Sequence, residues 1–251
     1  MGVVARATAA MTTAPGTALT DPAWVRAHIT ALGRSWGAST PRAAGTLWWS
    51  MVASALVEPL VTATAAGRTP PALGLGRLVC VVRPDGGVDR VVPDPAAHPE
   101  TAPPPVGSRT GVVSGGGASA GDAAADTAST GGTPGGRGDA TTALHDALAA
   151  VVPVVADSCG AGIPALWAIV ADALGNRAVD AGAPAVAVEL AARLGPPLPT
   201  PRFVEVGGRT FVHRVSCCLV YELPGSGLCT SCPKRPAAER AALLAEHAAR
   251  R

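Results

Sequence analysis

Between residues 21 and 68, apolar side chains recur at the spacing that is typical of helices packed on a core. The first helix is predicted to begin at Asp21-Pro22, because aspartate favours the N-cap position and proline favours the first helical position. The second is predicted to begin near Pro41. The apolar positions of the two helices are Trp24, Ile29 and Leu32 in the first, and Leu47, Trp48 and Val52 in the second.

The most apolar stretch of the chain, residues 47–66, contains Glu58-Pro59 in its middle together with several Ser and Thr. A membrane-spanning helix needs about 20 predominantly apolar residues with few charges. The stretch therefore predicts a buried helix that is broken at Pro59, and no transmembrane segment. Peripheral association with a membrane stays open.

Alternating apolar and polar positions predict two β-hairpins. Residues 76–93 contain two valine-rich strands joined by the turn Pro84–Gly87. Residues 202–222 are predicted to form the second hairpin: Gly207-Gly208 turns the chain, and the returning strand is expected to continue as far as Tyr221.

Helical patterns return over residues 141–198, and a closing helix is predicted at 237–249. The fold class is therefore α+β, mainly helical with two β-hairpins, which can pair as one small antiparallel sheet. Residues 1–20 are predicted to be a flexible N-terminus. Residues 94–140 are rich in Pro, Gly, Ala, Ser and Thr and predict a disordered insertion. We expect one domain over residues 21–251, interrupted by this insertion.

Composition narrows the function classes. A net charge of +2 gives no reason to expect a nucleic-acid partner. The chain has six cysteines, and their distribution does not resemble the disulfide framework of a secreted protein. Cys80 and Cys159 are expected to be buried free thiols. We therefore expect a soluble, cytoplasmic protein whose thiols stay reduced.

The other four cysteines form the pattern C-C-x10-C-x2-C, made by Cys217, Cys218, Cys229 and Cys232. Between the pairs, a strand-like run over residues 219–223 and a turn at 224–227 allow the chain to fold back. Thiolates select zinc or iron–sulfur clusters. Adjacent cysteines in an extended segment point in different directions, which favours a two-iron core over one tetrahedral zinc ion. Zinc and disulfides remain the alternatives.

In this cysteine pattern the chain resembles the FhuF-like ferric siderophore reductases. Residues 211–221 are similar to that family's approach to its cysteine pair, and residues 223–233 are similar to its closing half. Residues 165–174, with a Leu-Trp pair, are a weaker resemblance. The resemblance implies that Cys217, Cys218, Cys229 and Cys232 bind a [2Fe–2S] cluster within a C-terminal segment, residues 203–235.

Basic residues surround the cysteines in the sequence. They are interpreted as possible contacts to substrate or to an electron donor, or as solvated surface charge, and positive charge there would also raise the potential of the cluster. These residues are Arg209, His213, Arg214, Lys234 and Arg235.

The resemblance implies a ferric-siderophore reductase, which passes one electron to Fe³⁺ and releases Fe²⁺ for iron assimilation. Its catalytic machinery is the cluster itself. The partners are a ferric siderophore and an external electron donor, either a ferredoxin or a flavoprotein reductase. Two alternatives remain: a one-electron carrier that reduces no chelate, and a zinc-stapled binding module.

Overall fold

The computed structural model describes residues 10–97 and 135–250. The helices are α1 (Pro22–Trp36), α2 (Pro41–Ala65), α3 (Gly135–Cys159), α4 (Ile163–Asp180), α5 (Pro184–Leu194) and α6 (Ala237–Ala249). The strands are β1 (Thr12–Pro15), β2 (Leu78–Val82), β3 (Val88–Pro93), β4 (Phe203–Val206) and β5 (Arg209–Val212). The predicted class, α+β and mainly helical, is confirmed.

Side chains cap the first two helices. The Asp21 carboxylate accepts a hydrogen bond of 2.8 Å from the Ala23 N–H, and the Thr40 hydroxyl accepts one of 3.1 Å from the Ala43 N–H. Each cap satisfies a backbone donor that has no partner within its own helix. A left-handed Gly37 ends α1, so the chain turns sharply into α2.

The central helix is α2, which packs against α1, α3 and α4. Trp48 and Trp49 are both fully buried, and their indole N–H groups donate to the Gly86 and Leu166 carbonyl oxygens at 3.0 and 2.9 Å. The prediction of a break at Pro59 is wrong, because α2 continues through this residue. Its neighbours in α2 are buried on several sides, and that packing outweighs the one backbone hydrogen bond that proline cannot donate.

The first hairpin is confirmed as β2 and β3, but it belongs to a three-stranded antiparallel sheet in the order β1-β2-β3. Thr12 pairs with Val82, so the additional strand comes from the segment predicted to be flexible. That prediction is wrong for residues 12–20, where Leu19 is also fully buried. Residues 1–9 lie outside the described part of the chain.

The predicted insertion at 94–140 is too long at both ends. Residues 95–97 form a short 3-10 turn, and α3 already begins at Gly135, with Ala140 buried in the core. Residues 98–134, the remainder of the predicted insertion, lie outside the described residues.

The second hairpin, β4 and β5, is a separate two-stranded sheet that does not join the first. It packs on α4, where a Cβ atom at Gly175 would lie only 3.1 Å from the Val212 side chain. The returning strand ends at Val212 and not at Tyr221 as predicted. The predicted strand-like run is also wrong, since Val220–Glu222 is a 3-10 turn.

Two of the described helices are long and apolar enough to span a membrane by composition alone, α2 and residues 140–159 of α3. In α2, 72% of the most apolar window is buried inside the protein. Its apolar sequence is therefore explained by its place at the centre of the core.

Candidate metal centre

A buried carboxylate on α4 holds the segment that leads to the cysteines. Asp172, which is 4% exposed, accepts hydrogen bonds of 2.9 Å from the backbone N–H groups of both Val215 and Ser216. The Ser216 hydroxyl adds a third hydrogen bond of 2.5 Å. This carboxylate fixes the backbone just before Cys217 against the helical core.

The same carboxylate orients an arginine towards the thiols. The Nε atom of Arg214 lies 3.3 Å from Asp172 Oδ2, and its Nη1 atom lies 3.7 Å from the Sγ atoms of both Cys218 and Cys229. Burial by itself would lower the pKa of Arg214, but the neighbouring Cys218 and Asp172 groups raise it above its ordinary value. Arg214 therefore stays positively charged between a carboxylate and two sulfurs.

The four sulfurs meet as two pairs, Cys218 with Cys229 and Cys217 with Cys232. A hydrogen bond from the Cys229 thiol lowers the pKa of Cys218 to about 5, and the Arg214 guanidinium contributes to the shift. The same hydrogen bond, followed by burial, raises the pKa of Cys229. Burial is also the main cause that raises the pKa of Cys217, with the Cys232 thiol as a further cause. The Cys218–Cys229 pair therefore holds one thiolate at neutral pH, and the thiolate is the form that binds metal.

An unusual backbone conformation follows the adjacent cysteines. Leu219 has a φ of 59°, the only positive φ of a non-glycine residue within residues 10–97 and 135–250. This left-handed turn costs roughly 1–2 kcal/mol for a residue with a Cβ atom. It lets the backbone N–H groups of Leu219 and Val220 hydrogen-bond to the sulfurs of Cys217 and Cys218. Such N–H donors stabilise negative charge on sulfur.

Two arginines hold the loop of the C-x2-C pair. The Arg235 side chain, only 13% exposed, donates to the carbonyl oxygens of Leu228 and Cys229 and pairs with Glu239 at the start of α6. Arg240 of α6 donates to the Cys232 carbonyl oxygen at 3.4 Å. α6 thereby secures the second half of the motif.

The cysteines lie at the edge of the protein. Cys232 is 1% exposed, whereas Cys217, Cys218 and Cys229 are half-buried. A group bound by these thiols would be shielded on the Cys232 side and accessible on the other.

The basic residues predicted near the site have different positions. Arg214 contacts two of the thiols, while Arg235 contacts the backbone of the loop that carries them. The exposed Lys234 donates to the Tyr221 hydroxyl at 2.6 Å and lies 4.7 Å from the centre of its ring. His213 and Arg209 are not brought to the sulfurs by any contact in the described chain.

His213 and Arg209 form their contacts away from the cysteines. His213 donates its backbone N–H to the Arg202 carbonyl oxygen at 2.8 Å. Arg209 donates to the His247 carbonyl oxygen at 3.3 Å and lies over the Phe211 ring. Their surroundings are those of a strand end and a hairpin surface.

Sequence reasoning missed Asp172 and Arg240. Asp172 is the one charged residue in the otherwise apolar stretch 163–174, and a charge at a core-facing helical position predicts a buried partner. That signal was present in the sequence. Arg240 carries no comparable signal, because arginines are common on the exposed faces of helices.

The donor set fits a [2Fe–2S] cluster, which is held by four cysteine thiolates, two on each iron. In the described part of the chain, no group of three or more His, Cys, Asp or Glu side chains lies close enough together to hold a single metal ion. All six cysteines are free thiols.

Comparison with known proteins agrees with the geometry. Residues 214–234 match the family model of the FhuF 2Fe-2S C-terminal domain, and the matched segment contains all four cysteines and Arg214. No curated protein and no solved structure matches the chain. The predicted resemblance to the FhuF-like proteins is confirmed in this segment, and the cofactor is a [2Fe–2S] cluster. That the four cysteines are its ligands stays a prediction.

Arg214 is expected to raise the reduction potential of the cluster, because reduction adds negative charge beside its guanidinium and its N–H groups face two sulfurs. Replacing Arg214 with Gln should lower the midpoint potential by about 59 mV or more, a tenfold change in a one-electron equilibrium. Arg214→Lys should recover part of the loss. Spectroelectrochemical titration measures both values. Equal potentials in the wild type and in Arg214→Gln would contradict this role.

Proposed function

We propose that this protein is a ferric-siderophore reductase, which passes one electron from its [2Fe–2S] cluster to the Fe³⁺ of a siderophore complex and releases Fe²⁺. The observation that supports it best is the position of the thiols: three are half-buried at the surface, and two of these, Cys218 and Cys229, lie next to the guanidinium of Arg214. A substrate can approach such an edge closely. The match to a FhuF-type domain supports the same function.

The proposed reaction requires little of the protein beyond holding the cluster where its electron can reach the substrate. The bound cluster supplies one-electron transfer, and the conversion of Fe³⁺ to Fe²⁺ takes one electron. Hydroxamate or catecholate oxygens hold Fe³⁺ far better than Fe²⁺, so reduction loosens the chelate. The protein's residues bind the cofactor, and Arg214 offsets its negative charge. Asp172 orients Arg214.

The electron must come from outside the chain, because the sequence contains no convincing flavin or nicotinamide motif. We propose a ferredoxin or a flavoprotein reductase as the donor. We also propose the cytoplasm as the compartment, since reduced thiols persist there and are available to bind iron.

Anaerobic mixing of the dithionite-reduced protein with a ferric trihydroxamate tests the function. We expect the visible band of the oxidised cluster to recover and one Fe²⁺ to appear in a ferrous chelator for each cluster oxidised. Stopped-flow absorbance measures both rates. The gallium(III) complex of the same siderophore is the matched control, because Ga³⁺ has the size and charge of Fe³⁺ but accepts no electron.

Recovery no faster than in anaerobic buffer, with hydroxamate and catecholate chelates alike, would contradict the reductase. The protein would then be a one-electron carrier. Equal recovery with the gallium complex would show that a contaminating oxidant, and not the ferric ion, takes the electron.

A further inference from the structure

A groove lined by both polar and apolar side chains crosses α2 and ends at one of the four cysteines. Its outer part, about 320 Å³, lies between α2 and the first hairpin and is lined by Trp36, Arg83 and Arg177 among others. Its inner part, about 170 Å³, is lined by residues that include Asn176 and Cys218. Ser50 and Ser54 line both parts, so the two adjoin each other along one face of α2.

We infer that this groove is the binding site for the ferric chelate. The inference rests on the proposed function and assigns its substrate a position. A chelate in the outer part could extend one edge into the inner part, beside Cys218, so the electron would cross only a short distance. The combined size falls within the range of roughly 300–1,000 Å³ that small-molecule sites occupy.

The groove lining suits the oxygen-rich surface of a chelate. The Ser54 hydroxyl accepts a hydrogen bond of 2.9 Å from Arg177 Nε, so its own proton is directed away from that guanidinium. Asn176 donates to the Asp172 carbonyl oxygen at 2.8 Å with one of its two amide hydrogens. Hydroxyl, amide and guanidinium groups are hydrogen-bond donors, and carbonyl and hydroxamate oxygens are acceptors.

Charges along the groove are largely balanced, which indicates a chelate of low net charge. Arg83 lies 2.5 Å from Asp85, and Arg177 lies 3.4 Å from Asp180. Asp89 adds a carboxylate to the lining. A chelate with several negative charges would find few uncompensated cations here.

A second cavity of similar size, about 480 Å³, lies between α1 and the start of α2, where its lining includes Arg26, Thr30 and Thr40. None of the four cysteines lines it, so a chelate bound there would not touch a thiol of the centre. This cavity provides the matched control for the groove.

The test measures the affinity of the cluster-loaded protein for a gallium(III) trihydroxamate by isothermal titration calorimetry. This readout involves no electron transfer. Ser54→Leu adds bulk to the groove and removes a hydroxyl, so we expect affinity to fall about tenfold or more. Thr30→Leu makes a comparable change in the control cavity. Its affinity should stay within about twofold of the wild-type value, a smaller change than one lost hydrogen bond would cause.

Arg177→Gln is a second groove variant, and the Arg177 side chain is one-third exposed. It keeps the test decisive if the Ser54→Leu protein folds poorly. We expect a loss of roughly threefold to tenfold, the effect of one hydrogen bond. The visible spectrum and iron content of each variant confirm that the cluster is retained.

Wild-type affinity in both groove variants would overturn the inference, and so would a loss in Thr30→Leu alone or no binding by the wild type. The proposed function is tested separately, by reoxidation of the reduced protein with ferric chelate. If the groove variants lose affinity but ferric chelate does not reoxidise the reduced protein, the groove binds chelates and the reductase is wrong. If reoxidation proceeds and the groove variants bind normally, the chelate docks elsewhere.

Discussion

Replacing any one of the four clustered cysteines with alanine should remove the [2Fe–2S] cluster from the purified protein. The four residues are Cys217, Cys218, Cys229 and Cys232. Each belongs to one of two thiol pairs, and the nearby region offers no fifth cysteine in the sequence as a substitute. Loss of one thiolate leaves an iron with incomplete ligation, so we expect the red-brown absorption and the bound iron to fall to a small fraction of the wild-type value.

Cys159→Ala is the matched control, because Cys159 is a buried free thiol that packs against Gly45 of α2. It should keep the full visible spectrum. Absorbance of protein purified without oxygen, together with iron and sulfide per chain, measures the effect. A Cys218→Ala protein with a full-intensity spectrum would show that the four-cysteine assignment is wrong.

Replacing Asp172 with Asn should destabilise the metal centre nearly as strongly, although Asp172 contacts no sulfur. The carboxylate accepts hydrogen bonds from two backbone N–H groups and a hydroxyl, and it pairs with Arg214. Asparagine removes the charge and turns an N–H₂ group towards these donors. Breaking a buried charge pair costs roughly 3–5 kcal/mol, a large part of the stability of a typical domain.

We therefore expect Asp172→Asn to lose most of its cluster while its far-ultraviolet circular dichroism still shows a helical protein at low temperature. Glu189→Gln is the control, since Glu189 forms an exposed ion pair with Arg193 at 3.7 Å. Such pairs contribute about 0–1 kcal/mol. Iron content and thermal unfolding of both variants make the comparison. Full cluster content in Asp172→Asn would contradict the role assigned to this carboxylate.

The structure agrees with the sequence where the information is local. Asp21-Pro22 and Thr40-Pro41 begin helices because a capping side chain and a proline act within a few residues of each other. The turns at Pro84–Gly87 and Gly207-Gly208 follow in the same way, since the φ angles that glycine permits set the hairpins. The spacing of the four cysteines is local information too: it favoured a two-iron core over zinc and disulfides, and its resemblance to the FhuF-like proteins implied a [2Fe–2S] cluster.

Only the tertiary structure decided the contacts between residues that lie far apart in the chain. β1 forms because β2 offers it an edge. Thr12 and Thr13 favour a strand, but Ala14 and Pro15 do not, so these four residues alone do not predict one. Pro59 stays within α2 because the core packs around it. Asp172 and Ser216 lie 44 positions apart in the chain, and they meet where the second hairpin packs closely on α4, with Val212 against Gly175. A sequence shows that a charge lies in an apolar helix, but the partner that balances it is chosen by packing over long distances along the chain.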